Sequence, residues 1–216
     1  MSATIPKGWP KRATYSKEPV APEMNLAILR DFLSTGNPED LHKTSPLIET
    51  QSVHPDIRIK KLSPSHPLGR KRTLNGHANY GIFAEQAIPA HSEIGEYVGE
   101  IYLYLASPEA SVQTVFAGLP FSEYRWMIQA NHLFLAIDGQ SIANEMALIN
   151  DYRNLAAQSN VAMQPIIHKG KCHFGYVASR DIQKGEELLT DYGEMFWETF
   201  SRQKRMTSHR PSVHRS

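Results

Sequence analysis

The sequence predicts a mainly β fold (α+β) of several small irregular sheets, with a helical segment near the N-terminus. From Tyr80 onward, short apolar runs alternate with turn residues at close spacing, which is typical of many short strands. Turn dipeptides such as Asp138-Gly139 end these runs. Apolar residues at helical spacing occur mainly in 24–34, before the strands begin. The 216 residues are enough for one sizeable domain.

Composition excludes several classes of protein. The net charge of +1 predicts no strong overall attraction to nucleic acid or to a membrane surface. The single cysteine, Cys172, rules out an intramolecular disulfide framework and a zinc site built on cysteines. No apolar run approaches the ~20 residues that span a bilayer, and the polar start of the chain does not resemble a signal peptide. The expected compartment is therefore cytosolic or nuclear.

The N-terminal third is predicted to flank the strands. Residues 1–22 contain four prolines among lysines and arginines and are predicted to form a flexible arm. Residues 23–69 are predicted to form a helical and extended segment, with one helix over 24–34. A second short helix is expected after Asn37, with Pro38 at its first position. A short alternating strand is expected at 57–59.

The strands that follow can be assigned from alternation and turn residues. Strands are expected at 80–84, at 93–102 with breaks at glycines, and at 133–137. Residues 106–126 are mixed and could include a helix. Ser141 is a candidate N-cap for one or two helical turns through Ile149.

The C-terminal part contains a predicted hairpin and the most informative motif. Strands at 161–168 and 173–179 are joined by the turn 169–171, and a second turn at 181–185 leads to a strand at 188–190. That strand ends in an acidic-aromatic pair, Asp191-Tyr192, where a strand passes into a turn and commonly presents a residue to a ligand. The basic tail 201–216 is predicted to be disordered.

Residues 177–192 read Val-Ala-Ser-Arg-Asp-Ile-Gln-Lys-Gly-Glu-Glu-Leu-Leu-Thr-Asp-Tyr. This string resembles the end of the SET domain, the fold of many protein lysine methyltransferases, almost residue for residue. A second match is 96–100, Glu-Tyr-Val-Gly-Glu, which agrees in full with a motif near the start of that domain. Upstream, Gly81 matches the second glycine of the family's Gly-x-Gly turn. Asn79 replaces the first, and asparagine tolerates a positive φ better than other non-glycine residues.

A third segment also resembles the family, with departures. Asn144, Ile149 and Asn150 match the pattern Gly-Asn-x-x-Arg-Phe-Ile-Asn-His-Ser at the right spacing. The family's arginine is replaced by Ala147 and its histidine by Asp151. The resemblance implies a SET fold over 70–200, with a knot-like crossing of the chain near its C-terminal end.

The resemblance also implies an activity: protein-lysine N-methyl transfer from S-adenosylmethionine. It assigns Tyr192 as the catalytic tyrosine near the methyl group, and Tyr97 as a catalytic tyrosine that hydrogen-bonds the target amine. Contacts to the cofactor are expected from Asn79, Tyr80, Gly81, Tyr124, Asn150 and Asp151.

Many family members close the lysine channel with a zinc-bound segment rich in cysteine. This chain has no cysteine after Cys172, and no metal is predicted. Phe196 and Trp197, with Tyr97, are the expected channel residues, because an aromatic wall suits a lysine stem and its charged head. Simple packing of a C-terminal helix is the alternative reading of Phe196 and Trp197.

The cysteine-poor form resembles short bacterial SET proteins, including those of chlamydiae. The implied partner is a lysine-rich protein, histone or histone-like, and the protein could be a bacterial effector acting on host chromatin. The expected location is the cytoplasm or the host nucleus. No membrane partner is expected, and direct binding of nucleic acid is expected only through the basic tail. No oligomeric state is predicted.

Two other functions stay open. The first is a SET fold that has lost catalysis and serves as a binding module, for which Asp151 and Ala147 are the best support. The second is a chromatin adaptor in which the basic tail does the binding. Thr190 stands where the family carries an aromatic determinant of methylation degree, and its small side chain favours more than one methyl.

Overall fold

The computed structural model describes residues 5–10, 13–17, 53–71, 79–130, 132–168 and 171–208. Within them strand residues clearly outnumber helical ones, which confirms the predicted mainly β fold. The elements in chain order are β1 (Thr14–Tyr15), β2 (Ile57–Lys61), β3 (Tyr80–Ala84), β4 (Glu93–Glu96), β5 (Glu100–Leu105), α1 (Val112–Val115), β6 (Arg125–Ala130), β7 (Leu133–Asp138), β8 (Ile142–Ala143), a 3-10 helix (Glu145–Leu148), β9 (Asn150–Asp151), β10 (Val161–His168), β11 (Lys171–Ala178), β12 (Leu189–Thr190) and α2 (Glu194–Ser208). The helices predicted over 24–34 and after Asn37 lie outside the described residues.

The described strands form five small sheets. Two have three antiparallel strands, in the orders β5-β7-β6 and β10-β11-β4, and the other three are pairs: β2 with β3, β1 with β8, and β9 with β12. The central strand β7 reads Leu-Phe-Leu-Ala-Ile-Asp and is buried from Phe134 through Asp138. Such a continuous apolar run is expected of a strand covered on both faces. The predicted hairpin is confirmed, with Val161 opposite Ala178.

The C-terminal segment is inserted between two earlier parts of the chain. On one side, Leu188 donates its backbone N–H to the carbonyl of Ile82 at 2.8 Å. On the other, Thr190 accepts from the backbone N–H of Tyr152 at 2.9 Å, and β12 runs parallel to β9. Leu188 is fully buried in the main core. This insertion is the crossing that the family resemblance implied, and it brings the Asp191-Tyr192 pair beside residues 149–153.

Two element assignments from sequence were wrong at their boundaries. Ser141 does not cap the helical turn; its carbonyl accepts from the N–H of Thr14, so Ile142 and Ala143 are drawn into a strand with β1. Asn144 is the cap instead, and its side chain accepts from the N–H of Met146 at 3.2 Å. The chain over 201–208 is the end of α2 rather than a disordered tail.

The strand expected over 93–102 is divided into β4 and β5 by residues 97–99. At this break, Gly99 lies against the backbone of β7. A Cβ at position 99 would lie 2.5 Å from the carbonyl oxygen and 2.6 Å from the carbonyl carbon of Asp138. β5 and β7 could not move apart to make room for a methyl group without breaking the pairing of Glu100 with Asp138. The family-like motif at 96–100 therefore has glycine at position 99 for a steric reason.

We expect Gly99→Ala to destabilise the protein by roughly 1–3 kcal/mol, because the added methyl overpacks a rigid backbone contact. The midpoint of urea unfolding measures the loss. Gly118→Ala is the matched control, since a Cβ at Gly118 meets nothing within 4 Å. Equal midpoints for the two variants would contradict the steric account.

None of the helices among the described residues is long and apolar enough to cross a membrane.

Candidate active site

One cavity of about 480 Å³ is lined mainly by the segment 116–127, the end of the 3-10 helix, the segment 190–193 and α2. Its lining includes four tyrosines, Tyr97, Tyr124, Tyr176 and Tyr192. Three of them were predicted as site residues from sequence. They come from parts of the chain far apart in sequence, so only the fold places their rings around one space.

Tyr192 is held at both its backbone and its hydroxyl. The hydroxyl donates to the carbonyl oxygen of Ile149 at 2.7 Å, and the backbone N–H donates to the carboxylate of Asp151 at 2.7 Å. Loss of hydration, and then the neighbouring Tyr176 and Tyr97, raise the pKa of Tyr192 well above its ordinary value. The hydroxyl therefore stays protonated at neutral pH and acts through hydrogen bonds rather than as a base.

Tyr97 projects from the break between β4 and β5. Its hydroxyl donates to the carbonyl oxygen of Tyr124 at 2.6 Å. The backbone around Tyr97 is held by Asn144, whose amide donates to the carbonyl of Glu96 at 2.7 Å. Asn144 is almost completely buried and also caps the 3-10 helix. The sequence analysis matched Asn144 to the family pattern but assigned it no role. The structure shows that Asn144 orients the segment that bears Tyr97.

Tyr124 shares this cavity with Tyr97 and Tyr192, and a buried ionic contact fixes the start of β6, the strand that follows it. Arg125 donates two hydrogen bonds to one carboxylate oxygen of Asp138, at 3.0 and 2.7 Å. Ser122 donates to the other oxygen at 2.6 Å, and the backbone N–H of Tyr124 donates to Ser122 at 3.1 Å. Tyr124 is thus placed by neighbours on both sides. Its cofactor contact stays a prediction.

The two predicted channel aromatics occupy different positions. Phe196 lines the cavity and meets the Tyr192 ring edge-on, with centroids 4.7 Å apart. Trp197 does not line the cavity; it stacks behind Tyr192 with centroids 6.4 Å apart. Of the two predicted channel aromatics, Phe196 therefore lines the cavity, whereas Trp197 packs on the Tyr192 ring from outside it.

Three of the other predicted cofactor residues, Tyr80, Gly81 and Asn150, meet around Glu187 in a separate cluster. Asn150 donates to the carbonyl of Tyr80 at 2.8 Å and to the carboxylate of Glu187 at 2.9 Å. His66 contacts the second oxygen of Glu187 at 2.9 Å. Ile149 lines the tyrosine cavity while Asn150 faces this cluster, as expected of consecutive residues in extended backbone. The two groups of predicted residues thus lie on opposite sides of one short segment.

Asn79 does not replace a glycine by adopting a positive φ. Among the described residues other than glycine, only His91 and Asn154 have a positive φ. The Asn79 side chain instead donates to the carbonyls of Leu68 and Lys71, at 3.0 and 3.3 Å. It therefore ties the chain before β3 to the flanking segment.

Asp151 is buried but does not line the cavity. One of its oxygens accepts from Arg153 at 2.8 Å and from the backbone N–H of Tyr192, and the other accepts from the backbone N–H of Arg153. Arg153 also donates to Asp191 at 2.6 Å. Where the family pattern has histidine, this chain therefore has a carboxylate that anchors the loop bearing Tyr192.

Tyr176 was missed by the sequence analysis. It is buried on β11, its ring lies edge-on to Tyr97 with centroids 6.2 Å apart, and it lines the cavity. In the sequence it alternates with Phe174 and Ala178, so it reads as an ordinary core residue of a strand. No local signal separates it from such a residue.

Within the part of the chain that the structure describes, no group of three or more His, Cys, Asp or Glu residues is arranged to hold a metal ion.

Comparison with known proteins places these features in a family. A family model described as the SET domain matches residues 79–193. No curated protein matches the chain. A solved structure similar to this one is described as ATXR5 in complex with a mono-methylated histone H3.1. Its TM-score is 0.49 at 15% sequence identity, and the match covers 85% of this chain and 82% of that chain.

Proposed function

Because this chain belongs to the SET domain family, we propose that it is an S-adenosylmethionine-dependent protein-lysine N-methyltransferase acting on a histone or histone-like protein. One observation carries the proposal. Tyr97 and Tyr192 line one cavity, and the hydroxyl of each is anchored on a backbone carbonyl, at 2.6 and 2.7 Å. Polar groups held so firmly are suited to orienting a reacting amine.

The anchoring decides what the two hydroxyls can do. Each already donates its single O–H, so toward the cavity its oxygen can only accept a hydrogen bond. The neutral amine of lysine has two N–H groups to donate and one lone pair that must stay directed at the electrophile. Two fixed acceptors would hold the N–H groups and leave that lone pair aimed, at the ~3–3.5 Å separation that transfer requires.

Proton transfer is a separate requirement. Burial raises the pKa of Tyr192, so its hydroxyl stays protonated at neutral pH and is not the group that takes the proton from the lysine ammonium. The amine must lose that proton to another acceptor. The Tyr192 hydroxyl then acts as a fixed dipole that orients the neutral lysine amine.

The second cluster fits the cofactor by its chemistry. When bound, S-adenosylmethionine supplies an electrophilic methyl group on a positively charged sulfur, and it also carries an ammonium group. Carboxylate and carbonyl oxygens are the acceptors that such a cation needs, and the Glu187 carboxylate and the Tyr80 carbonyl lie together here, bridged by the amide of Asn150. We therefore assign the cofactor to residues 79–81 and Asn150, across the 149–150 segment from the tyrosines.

The lysine side would be served by the aromatic wall. Phe196 and the tyrosines offer apolar faces to the methylene stem, and their rings attract a positively charged head group as it enters. The choice of histone or histone-like proteins rests on the family resemblance, as does a role as a bacterial effector reaching the host nucleus. A non-catalytic binding module is the competing function.

Transfer of labelled methyl from S-adenosylmethionine to core histones and to a bacterial histone-like protein tests the proposal. We expect label on lysine in at least one of them, and calorimetry should detect cofactor binding to the full chain. Cofactor binding with no transfer to either substrate would indicate the binding module. No binding of the cofactor would overturn the proposal.

A further inference from the structure

The Glu187 carboxylate lies in the candidate cofactor cluster, and a residue of the N-terminal flanking segment helps to hold it there. Its side chain is only 10% exposed. One oxygen accepts from the Asn150 amide at 2.9 Å, and the other contacts Nε2 of His66 at 2.9 Å. The family model begins at residue 79, so it assigns nothing to His66. The carboxylate is thus fixed by two parts of the chain that are far apart in sequence.

The two contacts of the His66 ring fix its protonation state. Nδ1 lies 3.1 Å from the backbone nitrogen of Leu68, whose N–H can only donate, so Nδ1 is the acceptor and carries no proton. The proton of the imidazole is then on Nε2, where it donates to the Glu187 carboxylate. His66 is therefore a neutral donor, and it orients the carboxylate without cancelling its charge.

The loop that carries His66 is closed by its own backbone. The N–H of His66 donates to the carbonyl of Ser63 at 3.0 Å, and the N–H of Gly69 donates to the carbonyl of His66 at 2.8 Å. A Cβ at Gly69 would collide with the Ser63 carbonyl oxygen, so the loop closes this tightly only with glycine there. The Asn79 amide donates to the carbonyl of Leu68 at 3.0 Å and joins the loop to the start of β3. The His66 ring is therefore presented to the cluster from a fixed base.

The negative charge of Glu187 is left available for a ligand. Among the described residues, its side chain forms no ion pair with a lysine or an arginine, and its two partners, Asn150 and neutral His66, are uncharged donors. The ammonium of Lys60, on the neighbouring strand β2, lies over the Phe83 ring instead, 4.5 Å from the centroid. A largely buried carboxylate with no counter-ion favours the binding of a cation beside it.

We propose that His66 is a positioning residue of the cofactor site: its neutral Nε2–H fixes the Glu187 carboxylate, which is the counter-charge for the ammonium group of the cofactor. This inference rests on the proposed function. Without the His66 donor, the carboxylate can rotate away from its place beside Asn150. The ammonium group would then have to order its own partner on binding, and that ordering lowers affinity.

The test compares the binding of two ligands by calorimetry: S-adenosylhomocysteine and an analogue of it that lacks only the amino group. Neither has a charged sulfur, so the ratio of their dissociation constants reports the contribution of the ammonium group. For wild type we expect the ligand with the ammonium group to bind more tightly. For His66→Ala we expect its dissociation constant to rise about tenfold, the change that one hydrogen bond to a charged group can produce, while that of the analogue stays unchanged. A merely structural role for His66 would weaken both ligands equally and leave the ratio alone.

His54→Ala is the matched control. Nδ1 of His54 accepts from the backbone N–H of Asp56 at 3.2 Å, the same local arrangement as in His66, but His54 does not contact Glu187. The ratio for His54→Ala should therefore equal that of wild type. His66→Gln tests the donor itself, because the glutamine amide can place an N–H near the position of Nε2. It should restore most of the wild-type ratio.

The outcomes are distinguishable. A wild type that binds S-adenosylhomocysteine, with a ratio that His66→Ala leaves unchanged, overturns the inference and leaves the proposed function standing. A ratio for His66→Gln as low as that for His66→Ala overturns the role of the Nε2–H. Thermal melting identifies a misfolded His66→Ala, and Glu187→Gln, which removes the charge at nearly constant shape, then decides by whether it lowers the ratio. A folded wild type that binds neither S-adenosylmethionine nor S-adenosylhomocysteine overturns the proposed function and this inference with it.

Discussion

Tyr192→Phe is expected to slow methyl transfer by about 10²–10³-fold, the usual loss when one fixed polar group at a reaction centre is removed. The variant keeps the ring that packs on Phe196 and Trp197 but lacks the hydroxyl anchored on Ile149. The amine would then lose one of its two acceptors and sample misaligned orientations. Single-turnover rates at saturating cofactor measure the effect on the chemical step.

Binding should separate this loss from damage to the fold. We expect the dissociation constant of S-adenosylmethionine to change little in Tyr192→Phe, because the residues assigned to the cofactor lie across the 149–150 segment. The lost hydrogen bond to the Ile149 carbonyl should cost only about 1 kcal/mol of stability. Transfer by Tyr192→Phe at the wild-type rate would sink the assignment of Tyr192 as catalytic.

Asp151→Ala is expected to lower the free energy of unfolding by about 3–4 kcal/mol. The Asp151 side chain is 4% exposed, and its two oxygens accept from the backbone N–H groups of Tyr192 and Arg153 and from the Arg153 guanidinium. Removing the carboxylate leaves these donors without their acceptor in a place that water reaches poorly. Urea unfolding, with the slope checked for constancy, measures the change.

Asp191→Ala is the matched control for Asp151→Ala. The same atoms are deleted and the same arginine loses a partner, but the Asp191 side chain is 49% exposed. Hydrogen bonds from Gly193 and Arg153 lower the pKa of Asp191, against the opposing effect of partial burial, so the pair is ionic at neutral pH. We expect a cost below about 1 kcal/mol, because water replaces the lost contact. Similar losses for both variants would mean that burial does not set the role of Asp151.

Tyr97 and Tyr192, the proposed catalytic pair, could be singled out from the sequence because they lie in motifs with an unusual local pattern. Around Tyr192 the sequence has a Gly-Glu-Glu turn, an apolar strand and an Asp-Tyr pair, which together predict a strand that ends at a ligand. Residues 96–100 match a motif of the family in full. The hairpin from 161 to 178 and the mainly β character follow from alternation and turn residues in the same way. These features depend on neighbours within a few positions.

Other assignments failed or shifted because their outcome depends on distant contacts. Asn144, rather than Ser141, is the N-cap of the 3-10 helix, because Ile142 and Ala143 between them pair with β1 as a strand. In the sequence, aspartate in place of the family's histidine at position 151 suggested a weakened cofactor site. In the structure its carboxylate accepts hydrogen bonds from Tyr192 and Arg153. Phe196 and Trp197 are adjacent in sequence, and only the packing of α2 against Tyr192 decided which of them faces the cavity.

The sequence by itself was enough to predict the family, the strand-rich architecture and Tyr97 and Tyr192 as candidate site residues. The tertiary structure decided which side chains lie next to them. Tyr176 and Thr190 line the same cavity, Asn144 holds the segment that bears Tyr97, and the Asp151 carboxylate accepts from the backbone of Tyr192. The physical reason is that these contacts join segments far apart in the chain, as the insertion of the C-terminal segment between β3 and β9 illustrates. Contacts made across that insertion join residues up to about a hundred positions apart, and no local pattern encodes which side chains will meet there.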